Sequence, residues 1–543
     1  MSTPHAKLAD ALTSLRQLQH DGRRVFESKE IGRVHRERLL RNGFLQQVIH
    51  GWLITTGPDV KAGDTTPWYA SFWEFCSRYS NRRFGDNWHL SPEQSLLLHG
   101  ENNVIPTQLI VYSPSGTNNT RPLLFGTSIY DLKERKPQGP PASDITTKDG
   151  LRIYSPVAAL LKVPDAFFMR FPTEAHIALM TVRDPSELLA RLLDGGHSAI
   201  ASRLAGAFRR IGRPSAADDI INTMKAAGYA IRESDPFNSQ QSLANLKPGM
   251  SPVAGRIRAL WDSARDNVVA LAPPAPGLRG DRAGYLRFVD EIYTSDAYHS
   301  LSIEGYSVSP ELIERVRSGN WEPDKNEADR RSLNALAARG YWEAFQVVRG
   351  SVAQLLGGAP AGELVRDTNR SWFRALFRPA VQVGHLAPSA LAGYRGHPIY
   401  IRGSRHVPPR WEAVPDAMDA LFDLLEGEAN PFARAVLGHW LVGYIHPFFD
   451  GNGRMARFVM NAMLASGGYP WSVVRVEDRP NYMAALEEAS VGADVRPFAR
   501  FIGDRIQGSL AAILATATPP NSHVRPARKT GPKPAPGKRR RQA

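Results

Sequence analysis

HPFFDGNGRMAR, residues 446–457, is the stretch on which the reading of this chain turns. It gathers His446, Asp450, the turn Gly451-Asn452-Gly453 and the cations Arg454 and Arg457 into one short block. Just upstream, Asn430 is a good N-cap and Pro431 suits the first helical position. Phe432, Val436, Trp440 and Tyr444 then recur every four residues, which predicts a helix with one buried face leading into His446. A second helix is predicted from about Gly453 to a stop at Gly467-Gly468. The glycine-rich turn therefore sits at a helix N-terminus, where outward N–H groups and the positive end of the macrodipole suit a phosphate. Glycine lets the backbone approach that phosphate without a Cβ in the way. Arg454 and Arg457 are three apart and are predicted to share a face, and guanidinium forks match phosphate oxygens. Asp450 is the natural ligand for a Mg²⁺ that bridges phosphates. His446, with an ordinary pKa of about 6.5, can take a hydroxyl proton at neutral pH.

The block resembles the signature of the Fic family, HPFx(D/E)GNGRxxR, at every specified position. The resemblance implies transfer of AMP from ATP to a Ser, Thr or Tyr hydroxyl of a target protein. It implies His446 as general base and Asp450 as Mg²⁺ ligand. Gly451, Asn452 and Gly453 would lie at the α-phosphate, and Arg454 and Arg457 at the β- and γ-phosphates. Doc-type kinases, a related group, carry lysine where this chain has Gly453, so the glycine fits AMP transfer better than phosphate transfer. UTP or GTP as donor remains open, because the signature specifies phosphates more than a base.

Further segments extend the resemblance. HPIYIRGSRHVPP, 397–409, alternates around Arg402-Gly403-Ser404 like a hairpin. The family has a β-hairpin flap here that aligns a target by strand addition, which implicates Ile399, Tyr400 and Ile401 in target docking. RPNYMAALEEA, 479–489, is similar to a segment lining the adenine pocket, with Asn481 and Tyr482 as candidates; Tyr482 equally suits a core position. In HSLSIEGY, 299–306, Ser300 and Glu304 are four apart, on one face of a helix end closed by Gly305. This looks like the inhibitory motif (S/T)xxxE(G/N). The resemblance implies autoinhibition through pairing of Glu304 with Arg457, and in some such proteins the same glutamate supports removal of AMP.

The 543 residues exceed one compact core, so two or three domains are expected. Hydrophobic and charged fractions of 42% and 22% are ordinary for a globular protein. No apolar run is long enough for a membrane span, and MSTPHAKLADAL lacks the pattern of a secretory signal. Cys76 is the only cysteine, which excludes an intramolecular disulfide and a tetrathiolate metal site, and a cytoplasmic location is expected. The net charge of +14 is partly carried by a Pro/Gly-rich tail, 516–543, expected to be disordered. That tail suits a polyanion contact or simple solubility.

At the N-terminus, a helix from Pro4 to Leu18, a short helix from Lys29 capped by Ser28, a helix from Arg33 to Arg41 and a hairpin around His50-Gly51 are predicted. That order is a winged helix-turn-helix, with Arg33, Arg36, Arg38 and Arg41 as candidate DNA contacts or, alternatively, a solvated face. The segment looks like the start of AbiEi-type antitoxin regulators. The expected organisation is therefore a winged helix-turn-helix (1–60), an α/β domain (61–240), a mainly α Fic domain with a β-hairpin flap (241–515) and the tail. A different class of function stands beside the enzyme: a DNA-binding, antitoxin-like regulator whose Fic domain senses nucleotide. DNA is thus a candidate partner, and a homo-oligomer is left open.

Overall fold

The protein is described from a computed structural model that covers residues 3–60, 63–135, 139–237, 250–278, 280–321 and 332–517. The basic tail from 518 and residues 238–249, around the domain boundary expected at 240, lie outside these residues.

The helix Pro4–Leu18 forms as expected, with Thr3 accepting from Ala6 N–H at 3.2 Å. The predicted helix at Lys29 does not form. Ser28–Glu30 is a single 3₁₀ turn, opened by a reciprocal capping box of Glu27 and Glu30 and ended by Ile31, which is already extended at φ −116°, ψ 122°. An unforeseen strand, Val25–Glu27, joins the hairpin Leu45–Ile49 and Trp52–Thr55 in a three-stranded antiparallel sheet with Trp52–Thr55 at its centre. That sheet packs on the helix Thr66–Phe84. The edge of Trp52 meets Phe75 at 5.7 Å, and Glu74 accepts from the Arg24 and Val25 N–H groups. The aromatic residues of this helix are core: Trp68, Phe72 and Phe75 are fully buried.

Next comes a four-stranded sheet of His89–Leu90, Gln108–Ser113, Ser128–Lys133 and Asn119–Pro122 in spatial order. The pair Gln108–Ser113 and Ser128–Lys133 is parallel and the others are antiparallel. A separate hairpin, Ile145–Lys148 with Leu151–Tyr154, leads into a run of helices from Pro156 to Ala226.

From Pro252 onward every regular element among the described residues is a helix, around one large apolar core. Asn430 caps the helix Pro431–Ile445 by accepting from Phe432 and Ala433 N–H groups at 2.9 and 3.0 Å. The stripe Phe432, Val436, Trp440 and Tyr444 is buried as its spacing requires. The helix Ala361–Gln382 had no counterpart in the sequence reading. Its polar run DTNRSW hides the pattern, yet Val365, Trp372, Phe373 and Leu376 line its inner side. Among the described residues no helix is long and apolar enough to cross a membrane.

The N-terminal and helical parts meet through buried charge. Arg256, on the helix Pro252–Val269, donates to Tyr444 Oη at 2.6 Å and to Glu174 Oε1 at 2.8 Å. Both ions are almost fully buried, so each depends on the other.

The hairpin expected over 397–409 is absent. The chain turns at Arg402-Gly403, where Ser404 N–H reaches Ile401 C=O at 3.1 Å and Gly403 has φ +76°, but no ladder forms on either side. The groups a ladder would use are taken elsewhere. Arg405 C=O accepts from Ile105 N–H at 2.9 Å, and Arg405 N–H donates to Glu487 at 3.0 Å. Pro398, Pro408 and Pro409 have no N–H to offer.

Candidate functional site

Five pieces of chain converge on a cavity of about 370 Å³: the end of the helix Pro431–Ile445, the start of the helix Asn452–Ser466, the end of the helix Arg282–Ile303, the segment 399–404, and the helix Arg479–Val491.

His446 ends the first helix in a left-handed conformation, φ +52°, ψ +59°. For an L-residue this costs roughly 1–2 kcal/mol, so neighbouring bonds must hold it. Its Nδ1 lies 3.0 Å from Gly443 C=O. A carbonyl can only accept, so Nδ1 carries the proton and Nε2 is left with its lone pair for the cavity. Burial pushes the imidazole below its ordinary pKa and the Arg395 charge adds to this, while the Gly443 bond and the Glu304 and Asp450 carboxylates oppose it. The neutral, proton-accepting form is therefore favoured.

The turn continues with Gly451 at φ +78°, which only glycine adopts freely, and a Cβ there would meet Phe377 at 2.9 Å. Asn452 is buried and spends its amide on Phe448, accepting from its N–H at 2.9 Å and donating to its C=O at 2.8 Å. It braces the loop, so any contact from Asn452 to a phosphate falls to its backbone. Asp450, with 52% of its side chain exposed, stands at the cavity rim. Its Oδ1 accepts from Gly451 N–H at 2.6 Å and its Oδ2 from Arg454 at 3.2 Å. No group of three or more His, Cys, Asp or Glu suited to a metal ion occurs among the described residues. One exposed carboxylate is a donor set that fits Mg²⁺, which keeps water and takes its other ligands from phosphates.

The two signature arginines part company. Arg457 lines the cavity. Its Nε donates to Ser300 Oγ at 2.9 Å, and its Nη2 to Ser300 C=O at 3.1 Å and Glu304 Oε1 at 2.6 Å. Arg454, expected on the same face, does not line the cavity. Its guanidinium lies between the rings of Tyr306 and Phe377, at 5.3 and 5.2 Å, and pairs with Asp450. Those two aromatic residues come from distant parts of the chain, and no local spacing announces them.

Glu304 caps the helix Arg282–Ile303, and Gly305, at φ +92°, closes it. Gly305 N–H bonds Ser302 C=O and Tyr306 N–H bonds Leu301 C=O, the paired bonds of a Schellman stop. The stop delivers the Glu304 carboxylate to the N-terminus of the helix Asn452–Ser466, so close that a Cβ on Gly453 would lie 2.3 Å from Oε1. A carboxylate thus occupies the anion-binding end of that helix. Burial would raise the Glu304 pKa, but the charges of Arg457 and Arg454 and the Arg457 hydrogen bond outweigh it and hold the pKa below the ordinary value.

Tyr482 lines the cavity floor and its hydroxyl is 2.8 Å from His439 Nε2. Burial, with Arg457 nearby, holds His439 down to about 3, so it is neutral. Asn481, one residue earlier on the same helix, is exposed and does not line the cavity, because successive helical residues point about 100° apart. Ile399, Tyr400 and Ile401 do line it, opposite the helix start.

Residues 362–464 match the Fic/DOC family model. This part of the chain is a Fic domain. The chain is 29% identical over 286 residues to the protein adenylyltransferase Fic of Nematostella vectensis, covering 52% of this chain and 60% of that protein. It is 30% identical over 254 residues to the protein of the same name from Culex quinquefasciatus, covering 45% and 46%. The chain therefore spans roughly half of the length of the curated relatives it matches. Among solved structures, Fic-1 (aa134–508) from C. elegans is matched at 20% identity and TM-score 0.35, over 64% of this chain and 99% of that one.

Around the Fic domain, contacts appear that the sequence reading did not single out. Arg479 donates to Ile303 C=O at 2.9 Å and so ties the Glu304 helix to the cavity wall. Arg402 pairs with Asp64 at 2.9 Å and Arg405 Nε bonds Ile105 C=O at 3.0 Å, joining the segment beside the cavity to the N-terminal region. The arginines on the helix Arg33–Arg41 are partly committed: Arg33 to Glu37 at 2.8 Å, Arg36 to Ser28 C=O, and Arg38 to Lys7 C=O at 2.9 Å.

Proposed function

We propose that the chain is a protein adenylyltransferase that transfers AMP from ATP to a Ser, Thr or Tyr hydroxyl, held off by its own Glu304. The observation that carries this is that His446, the N-terminal residues of the helix Asn452–Ser466 and Arg457 line one cavity, with Glu304 seated among them. The relatives' names point to the same activity.

In this reading the triphosphate lies across Gly451 and Gly453 toward Arg457, with Tyr482 on the pocket floor. Asp450 would hold Mg²⁺, which supplies neutralising charge on the phosphates when bound. The acceptor hydroxyl gives its proton to His446 Nε2 as its oxygen bonds the α-phosphorus. The bond from that phosphorus to the bridging oxygen breaks, and pyrophosphate leaves. Positioning and charge provide the catalysis. Glu304 competes because it takes both Arg457 and the helix end that the outer phosphates require. Ile399, Tyr400 and Ile401 face the acceptor side.

The test is transfer of α-phosphate label from ATP to protein by wild type, Glu304→Gly and Glu304→Gly/His446→Ala. Label in the single variant alone is expected. Equal silence of the single variant and the wild type, with ATP bound to both, would sink the proposal.

A second reading concerns residues 1–60. The helix Arg33–Arg41 turns Arg33, Val34 and Arg41 outward beside the hairpin, which supports a winged helix-turn-helix of AbiEi type contacting DNA. A salt-dependent shift of duplex DNA that Arg33→Ala/Arg41→Ala weakens is expected. Binding that ignores both changes would refute it.

A further inference from the structure

Arg395 is 4% exposed, and its guanidinium hydrogen bonds to Ile445, His446, His397 and Pro409 all end on main-chain carbonyls. Its Nε donates to His446 C=O at 2.8 Å and its Nη2 approaches Ile445 C=O at 3.5 Å. Its own N–H donates to Pro447 C=O at 2.9 Å. Three successive carbonyls of the left-handed turn are therefore held by one residue. The same guanidinium donates to His397 C=O at 3.1 Å and to Pro409 C=O at 2.5 Å, at the two ends of the segment beside the acceptor side of the cavity. Carbonyls at a helix C-terminus lack partners within the helix and favour a cation. Here the cation comes from 51 residues upstream in sequence, and it closes a loop around the His446 turn.

We propose that Arg395 is a positioning residue that locks the His446 turn and ties it to the 397–409 segment, so that the base and the acceptor wall of the cavity move as one unit. The inference rests on the adenylyltransferase reading for its effect on rate, but not for its effect on the histidine. The physical case has two parts. A left-handed histidine relaxes unless its surroundings over-determine it, and Arg395 supplies the surrounding bonds. A planar fork also reaches divergent carbonyls that a lysine ammonium, a point charge with no fixed plane, can satisfy only in part.

The test uses the full chain in the Glu304→Gly background, comparing Arg395→Met and Arg395→Lys. Self-labelling with α-phosphate-labelled ATP is followed against ATP concentration and pH, and the titration of His446 is followed by NMR of the ring. A loss of about 100-fold in maximal rate is expected for Arg395→Met, with the ATP concentration at half-rate unchanged and partial recovery in Arg395→Lys. The His446 midpoint should rise in Arg395→Met, because a nearby positive charge is removed while Glu304 is already absent and Asp450 and the neutral His406 are unchanged. Three results would each overturn the proposal: a parent-like rate and midpoint in Arg395→Met; equal loss in both variants; or a rate loss that follows lost ATP binding and lost folding by circular dichroism. If the parent itself transfers no label, the adenylyltransferase reading fails, and the NMR midpoint and the turn's chemical shifts still decide the role of Arg395.

Discussion

In the proposed reading, the nucleotide side and the acceptor side of the cavity are built in opposite ways. On the nucleotide side, the contiguous run from His446 to Arg457 supplies the base, the carboxylate, the glycine turn and one cation, and the helix dipole is local to it. On the acceptor side, the segment 397–409 has no ladder of its own. It is suspended from Arg395 just upstream and from Glu487, Ile105 and Asp64, which are remote in sequence. A site for a constant ligand can be written into one short motif. A wall assembled from distant groups depends instead on what the rest of the fold brings near, here Asp64 and Ile105 of the N-terminal region.

Substitutions can sharpen or break that contrast. On the nucleotide side, His446→Ala in the Glu304→Gly background should lower label transfer by about 100- to 10,000-fold while ATP binding persists. Loss of ATP binding instead would make His446 part of the scaffold. Between the two sides, Arg256→Met leaves Glu174 buried without its cation and should cost about 3–5 kcal/mol, read by denaturant unfolding. A smaller loss would mean that the N-terminal region bears on the catalytic helix only weakly. Glu304→Gly should raise transfer roughly 10- to 100-fold. ATP should also raise its Tm more than that of the wild type, because the phosphates replace the lost partner of Arg457. On the acceptor side, Arg402→Ala removes an ion pair whose arginine is 65% exposed, so its stability cost should stay within about 1 kcal/mol. A larger change in transfer than in stability would show that the clamp acts on the acceptor.

The pH dependence follows from the signs of the shifts. His446 is depressed, so its base form survives below the ordinary histidine value, and the acid limb of transfer lies lower than that of a free imidazole. Glu304 opposes that depression, so the limb should move lower still in Glu304→Gly than in Glu304→Asp. Glu304 itself is depressed. Its ion pair therefore stabilises the fold above the ordinary carboxyl range, and the contribution fades as pH falls through the lowered pKa.

Several features were legible because their causes are local. Asn430 caps the helix it precedes, the four-residue stripe is buried, and the Ser300–Glu304 spacing with Gly305 forms a helix stop. Other readings failed because a remote partner intervened. Arg454 was drawn between Tyr306 and Phe377, and the expected flap lost its ladder to Ile105 and Glu487, whereas Asn481 missed the pocket for a local reason, the helical step that separates it from Tyr482. Arg395 carried no local signal, since its partners are backbone carbonyls that any sequence possesses.

By itself, then, the sequence determined the turn from His446 to Gly453 and the helix start that follows it, because a turn, a helix start and their charges depend on neighbours within a few residues. The tertiary structure decided which arginine faces the cavity, where the Glu304 carboxylate lands and what holds the His446 turn. Those outcomes depend on which distant groups meet in the core, where each buried polar atom must find a partner.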